Sequence, residues 1–166
     1  MNTTGQSMKE AIINGNTLMG ISMMFYSLPL IEMFGRLGFK WVLLDCEHGS
    51  LSLSEVENMA IAARSAGIHS IARPRTNSPA DITAVLDRGV TGVQVPHITT
   101  REEAQLAINA ALFHPLGNRS LAIGTRASEY GISVETSDYV SESNNTTVIA
   151  LPVSYTHLTL PTILLV

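Results

Sequence analysis

The chain is poor in cysteine, charge and aromatic residues. Its 166 residues include one cysteine, 14% charged residues and 5% aromatic residues. A single cysteine, Cys46, excludes an internal disulfide framework and a cysteine-rich zinc site. Lys and Arg number 10 against 14 Asp and Glu, a net charge of -4, with no basic block. Nucleic acid is therefore not an expected partner. No apolar run reaches the roughly 18–20 residues of a membrane span, so no membrane partner is expected either. The opening MNTTGQSMKE has no basic region ahead of an apolar stretch. No secretory signal is expected, and the expected compartment is the cytoplasm. A Gly-x-Gly-x-x-Gly run is missing, which argues against a dinucleotide-binding sheet. No charged residue follows Glu142, so the last two dozen residues differ from the rest.

What is present is an alternation. Short apolar runs at 17–25, 41–45, 69–73 and 92–96 read as strands, and 146–151 reads as a fifth. Stretches with one apolar face lie between them. The first, 28–37, places Leu30, Ile31, Phe34 and Leu37 together. The second, 54–66, opens on a Ser54…Glu57 capping box and stops at Gly67. The third, 79–86, has Ser78 as its cap and Pro79 in its first turn. The fourth spans 100–113, and short helices are expected at 126–130 and 138–143. Strands that are apolar throughout suit a parallel sheet covered on both faces. Strand–helix–strand units leave two architectures, a doubly wound α/β sheet and a (β/α)8 TIM barrel. Polar residues cluster after several different strands, the habit of the barrel.

Asp45-Cys46-Glu47-His48-Gly49 is the densest polar cluster. A histidine beside carboxylates has the makings of a general base, and a solvated loop is the plainer reading. Arg73 ends the third strand, where a guanidinium could clamp a carboxylate at two points; Arg75 reads as a surface residue. His97 follows the fourth strand and could line the same mouth or make only a structural contact. His69 begins a strand, on the face associated with stability, and carries no expected chemistry. Cys46 reads as a packed thiol. Gly124, Thr125 and Arg126 follow a glycine-bearing loop whose backbone N–H groups could receive an oxyanion or a carboxylate.

The run Gly38-Phe39-Lys40-Trp41-Val42-Leu43-Leu44-Asp45-Cys46-Glu47-His48-Gly49 resembles the signature of the HpcH/HpaI family of metal-dependent (class II) aldolases. The resemblance continues through Arg73-Pro74, Asp87-Arg88-Gly89-Val90, Gly92 to His97, and Pro115-Leu116-Gly117-Asn118-Arg119 to Ala127. It covers about residues 8–151. It implies a (β/α)8 barrel of the phosphoenolpyruvate/pyruvate superfamily and a divalent cation (Mg²⁺, Mn²⁺ or Co²⁺). The implied reaction makes or breaks a carbon–carbon bond between pyruvate and an aldehyde, and the implied assembly is a homo-oligomer, often a hexamer. By the same resemblance His48 is the base and Asp45 its orienting partner. Glu47 lies near the metal through water, and Arg73 holds the pyruvate carboxylate or enolate oxygen. Another lyase of the superfamily, of citryl-CoA lyase type, and a non-enzymatic α/β binding module are the alternatives.

The chain departs from the family pattern after its fifth strand. There the family carries a Gln-x-Glu and a later Gly-Pro-x-Asp that ligate the metal. Here the sequence reads Leu151-Pro152-Val153-Ser154-Tyr155. Val153 to Leu158 resembles one reading frame of a transposon-end adapter used in preparing DNA libraries. The expectation is a partial barrel over 1–151, about five βα steps, and a non-native segment over 152–166. A genuine C-terminal strand at 158–166 is the alternative. No metal ligand is expected within this chain, and as it stands it is expected to bind no metal and to be inactive.

Overall fold

The computed structural model describes residues 3–152. Five strands, β1 (Gly20–Met23), β2 (Trp41–Asp45), β3 (His69–Arg73), β4 (Gly92–Gln94) and β5 (Val148–Ala150), form one sheet. Every pairing is parallel, and the spatial order is β1-β2-β3-β4-β5. A doubly wound sheet reverses its strand order at a switch point. This order never reverses, so each crossover carries the chain one strand further in the same direction. That is the winding of a (β/α)8 barrel, here seen over five strands and the four crossovers between them, with β1 and β5 at the two ends of the order.

The strand pleat assigns the two faces. Val42, Leu44, Ala72, Val93 and Ile149 face the helices α2 (Leu28–Arg36), α3 (Leu53–Ser65), α4 (Pro79–Leu86) and α5 (Arg101–Ala111). Leu43, Ile71 and Val148 face the other way, toward Met8 of α1 (Thr3–Ile13). Both faces are thus buried, which accounts for the uniformly apolar strands. The helix α1, which the apolar spacing did not announce, covers the concave side.

Helix boundaries follow their caps. Ser78 accepts from the Asp81 N–H with Pro79 in the first turn of α4. Gly67, at φ 72°, ends α3 as expected, its N–H bonded to the Arg64 carbonyl. The expected Ser54…Glu57 box is replaced by Ser52…Glu55, where both reciprocal bonds form. Two overlapping Ser-x-x-Glu frames compete there. The earlier one starts the helix, and Glu57 pairs instead with Arg88 at 3.0 Å. The expected helix at 126–130 is a single 3-10 turn, Glu129–Gly131. The one at 138–143 grows to α6, Thr136–Thr146. The first strand shrinks to Gly20–Met23 because pairing with β2 covers only that span. Of the expected non-native segment over 152–166 only Pro152 is described, and the alternative strand at 158–166 lies outside the described residues.

No helix among the described residues is long and apolar enough to cross a membrane. Strand spacing is set at Gly92, where a Cβ would collide with the Val148 carbonyl and side chain. Gly92→Ala is expected to cost about 1–3 kcal/mol, the usual cost of overpacking a close contact. Urea unfolding followed by circular dichroism measures it.

Candidate functional site

The parallel register sets Asp45 opposite Arg73 at the C-terminal ends of β2 and β3. Asp45 is 1% exposed, an expensive place for a carboxylate without partners. It has four donors. Arg73 Nε donates to its Oδ1 at 2.9 Å and Nη2 to its Oδ2 at 2.5 Å, a two-point pair. The N–H groups of Glu47 and His48 donate to Oδ1 at 3.0 and 3.2 Å. Burial, the largest single influence, pushes the Asp45 carboxyl up. The Arg73 and backbone hydrogen bonds together outweigh it and hold the group below the usual carboxylate range. Arg73 is raised in turn, chiefly by its hydrogen bond to Asp45.

The backbone then turns tightly over the strand ends. The Cys46 N–H continues the ladder to the Arg73 carbonyl, and the Ser50 N–H reaches the Met24 carbonyl. A Cβ at Gly49 would meet both the Asp45 and Met24 carbonyls, so only glycine allows this return. The turn brings the Glu47 carboxylate inward, to 9% side-chain exposure. Its Oε2 lies 3.3 Å from Arg73 Nε and 3.6 Å from His48 Nε2, and its Oε1 lies 2.5 Å from His97 Nε2. His97 reaches it from the end of β4 with φ 56°, a left-handed conformation costly for a residue with a Cβ. The two imidazoles are 62% and 72% exposed and stand on the open side of Glu47.

The arrangement therefore gathers Asp45, Glu47, His48, Arg73 and His97 at one mouth. Two expected relationships differ. Asp45 orients His48 through the main-chain N–H, and the carboxylate nearest the imidazole is Glu47. Arg73 is already engaged by Asp45, leaving Nη1 without a hydrogen bond among the described residues. Gly124, Thr125 and Arg126 do not join the mouth. Their loop packs where the chain enters β3 and β4, and the Ala127 N–H bonds the Asp87 carbonyl. A connection from helix to strand ends at the N-terminal side of a barrel, and sequence spacing alone did not show on which side this loop closed. Cys46 is buried, and burial pushes its thiol up to about 11, which keeps it neutral. His69, buried on the inward side of β3 across from Trp41, is pushed down to about 4 by burial. No group of three or more His, Cys, Asp or Glu side chains able to hold a metal ion occurs among the described residues.

Known proteins resemble this chain over most of its length. A family model described as HpcH/HpaI aldolase/citrate lyase matches residues 22–154, running past Leu151. A 2-dehydro-3,6-dideoxy-6-sulfogluconate aldolase of Pseudomonas putida is 34% identical over 113 residues, 68% of this chain and 44% of that protein. A hydroxypyruvate/pyruvate aldolase of Sagittula stellata is 30% identical over 123 residues, 74% of this chain and 49% of that protein. The chain thus spans about half the length of the curated relatives it matches. Among solved structures, an HpcH/HpaI aldolase/citrate lyase family protein of Burkholderia cenocepacia superposes with TM-score 0.83 at 23% identity. That match covers 91% of this chain and 60% of that one, and it speaks to the fold.

Two acid limbs of stability are expected. Native His69 stays neutral to about pH 4, whereas an exposed histidine protonates near about 6.5. Between those values the unfolded chain binds the extra proton, so stability falls as the pH drops through that window. The contribution of Asp45 is present above the ordinary carboxylate pKa of about 3.9 and is lost as the pH falls on through its lower native value. Urea unfolding as a function of pH tests the assignment. His69→Leu is expected to remove the upper limb, and Asp45→Asn to reduce the lower one, which the Glu55 and Glu103 carboxylates, held down by their capping hydrogen bonds, share.

Proposed function

The chain belongs to the HpcH/HpaI aldolase/citrate lyase family, and on that premise we propose that its mouth is one part of a pyruvate aldolase centre. The proposed substrates are 4-hydroxy-2-oxo acids, cleaved to pyruvate and an aldehyde or formed from them. The observation that carries this reading is the buried Glu47 carboxylate bracketed by Arg73, His48 and His97 at the C-terminal ends of parallel strands. A retro-aldol step needs a base at the C4 hydroxyl and positive charge at the oxygen that becomes an enolate. His48 is the proposed base. It is open to the mouth and steadied by Glu47. Arg73 is the proposed cation, its Nη1 turned to the substrate oxygen while Asp45 holds the rest of the guanidinium. As the hydroxyl proton passes to His48, the C3–C4 bond breaks and its electron pair moves toward the 2-oxo group. Protonation at C3 then yields pyruvate.

The resemblance implies a divalent cation as well. The described residues do not fit one, because the carboxylates at the mouth are committed to Arg73 and to the histidines. No step is routed through it. We propose that the 166-residue chain alone does not turn over substrate, and that cytoplasmic location and homo-oligomeric assembly are properties of a longer parent. The family description also names citrate lyase, but the aldolase names of the relatives above favour the aldol reading.

His48→Ala, placed in a barrel completed with the remaining βα steps, is expected to lower kcat by about 10²–10⁴-fold, the usual contribution of a general base. Pyruvate release in a coupled assay reads it, and unchanged turnover would sink the role of His48. Calorimetric titration of the chain with Mg²⁺ or Mn²⁺ is expected to show no micromolar site. Tight binding would mean that the chain supplies a ligand set of its own.

A further inference from the structure

The Gly124-Thr125-Arg126 loop, displaced from the mouth, borders a different space. A cavity of about 350 Å³ lies at the N-terminal side of the sheet, among the residues that lead into β3 and β4, the loop after α5, and α6. Arg64, Arg119 and Arg126 all line it. Arg64 is paired with Glu129 at 3.0 Å. Arg119 has a side chain only 2% exposed, bonds Asp87 through Nη2 at 2.7 Å and lies 4.6 Å over the Phe113 ring. Its Nε is buried with no partner among the described residues. Arg126 makes no hydrogen bond or ion pair through its side chain among the described residues. Its stem is seated on Gly89, at φ 81°, where a Cβ would lie 3.1 Å from Arg126 Cγ.

The lining adds hydroxyl donors. Ser70, 3% exposed, borders the cavity, and its hydroxyl forms no hydrogen bond among the described residues. Thr91 borders it too. The loop that presents Arg126 is fixed in place. The Ser128 hydroxyl donates to the Ile123 carbonyl at 2.8 Å, and the Tyr130 N–H bonds the Thr125 carbonyl at 2.9 Å. With Glu129 neutralised by Arg64, Glu142, on the exposed side of α6, is the acid on the lining that has no ion pair among the described residues.

We propose that this cavity binds a small oxyanion, a phosphate or a carboxylate, with Arg126 as its cation and the Ser70 hydroxyl as a donor. An oxyanion satisfies the Arg126 guanidinium and the Ser70 hydroxyl together, which neither an apolar ligand nor a cation does. The site lies at the opposite end of the strands from the mouth, so its occupant does not compete with substrate. It ties the loop to the entries of β3 and β4 and stabilises the folded chain by mass action. The proposal is independent of the aldolase reading and survives its failure.

The test titrates the full, ¹⁵N-labelled chain with inorganic phosphate and, separately, with malonate, against chloride at equal ionic strength. Saturable shifts are expected at the Gly89, Thr91, Ala127 and Ser128 amides, and the arm with the tighter Kd identifies the anion class. Arg126→Gln is expected to weaken Kd by about tenfold or more, the worth of one charge-assisted hydrogen bond. Glu142→Gln is expected to tighten it. Shifts no larger than those caused by chloride, or equal Kd values with and without Arg126, would overturn the proposal. Should Arg126→Gln fail to fold, an unchanged Kd in Glu142→Gln would overturn it as well.

Discussion

The buried pair between Asp45 and Arg73 is the constraint on which the mouth depends. A carboxylate 1% exposed is tolerable only because two guanidinium nitrogens and two backbone N–H groups converge on it. Those four bonds serve two ends. The guanidinium bonds join β2 to β3 at their C-terminal ends, and the backbone bonds curl residues 46–49 back over the strand ends. The curl, which only glycine at position 49 permits, carries Glu47 inward and leaves His48 outward. Loss of Arg73 leaves Asp45 as an uncompensated buried charge, and loss of Asp45 frees the turn that sets the remaining groups.

Charge around Glu47 is arranged by strands distant in sequence. Arg73 comes from β3 and His97 from beyond β4, the latter through a backbone conformation that is costly for a residue with a Cβ. Such strain persists where surrounding contacts over-determine it. Here the His97 carbonyl also accepts from Asn77 Nδ2 at 3.4 Å, and its ring meets the Glu47 carboxylate. The opposite end of the strands follows another logic. There arginines are matched with acids, Arg64 with Glu129 and Arg119 with Asp87, and they anchor the long connection between α5 and α6.

Much of this was legible in the residues. The strands 41–45 and 69–73, the Ser78–Pro79 cap and the stop at Gly67 follow from local rules, and each appears where it was expected, whereas Leu37, expected on the apolar face of the first helix, caps it and is exposed. The Asp45–His48 cluster and Arg73 were visible because ionisable residues stand at the ends of apolar runs. Less was legible where two local signals were equivalent. Ser52 and Ser54 both offered a capping box; the first one forms, and the acid of the second, Glu57, is taken by Arg88 from a distant part of the chain. The helix α1 escaped notice because the surface that buries it belongs to the concave side of strands far along the chain.

By itself the sequence determined the alternation of strand and helix, the candidate acid, base and guanidinium groups, and the family. These rest on spacing of 2.0 and 3.6 residues and on contiguous motifs, which are properties of neighbours in the chain. Tertiary structure alone decided which groups meet. It gave His48 Glu47 rather than Asp45 as its side-chain neighbour and engaged Arg73 before any substrate arrives. It also drew His97 into the mouth and sent Arg126 to the far side. The physical reason is the parallel register. Residues some 28 positions apart become opposite partners, as Asp45 and Arg73 do, and no local rule encodes that distance.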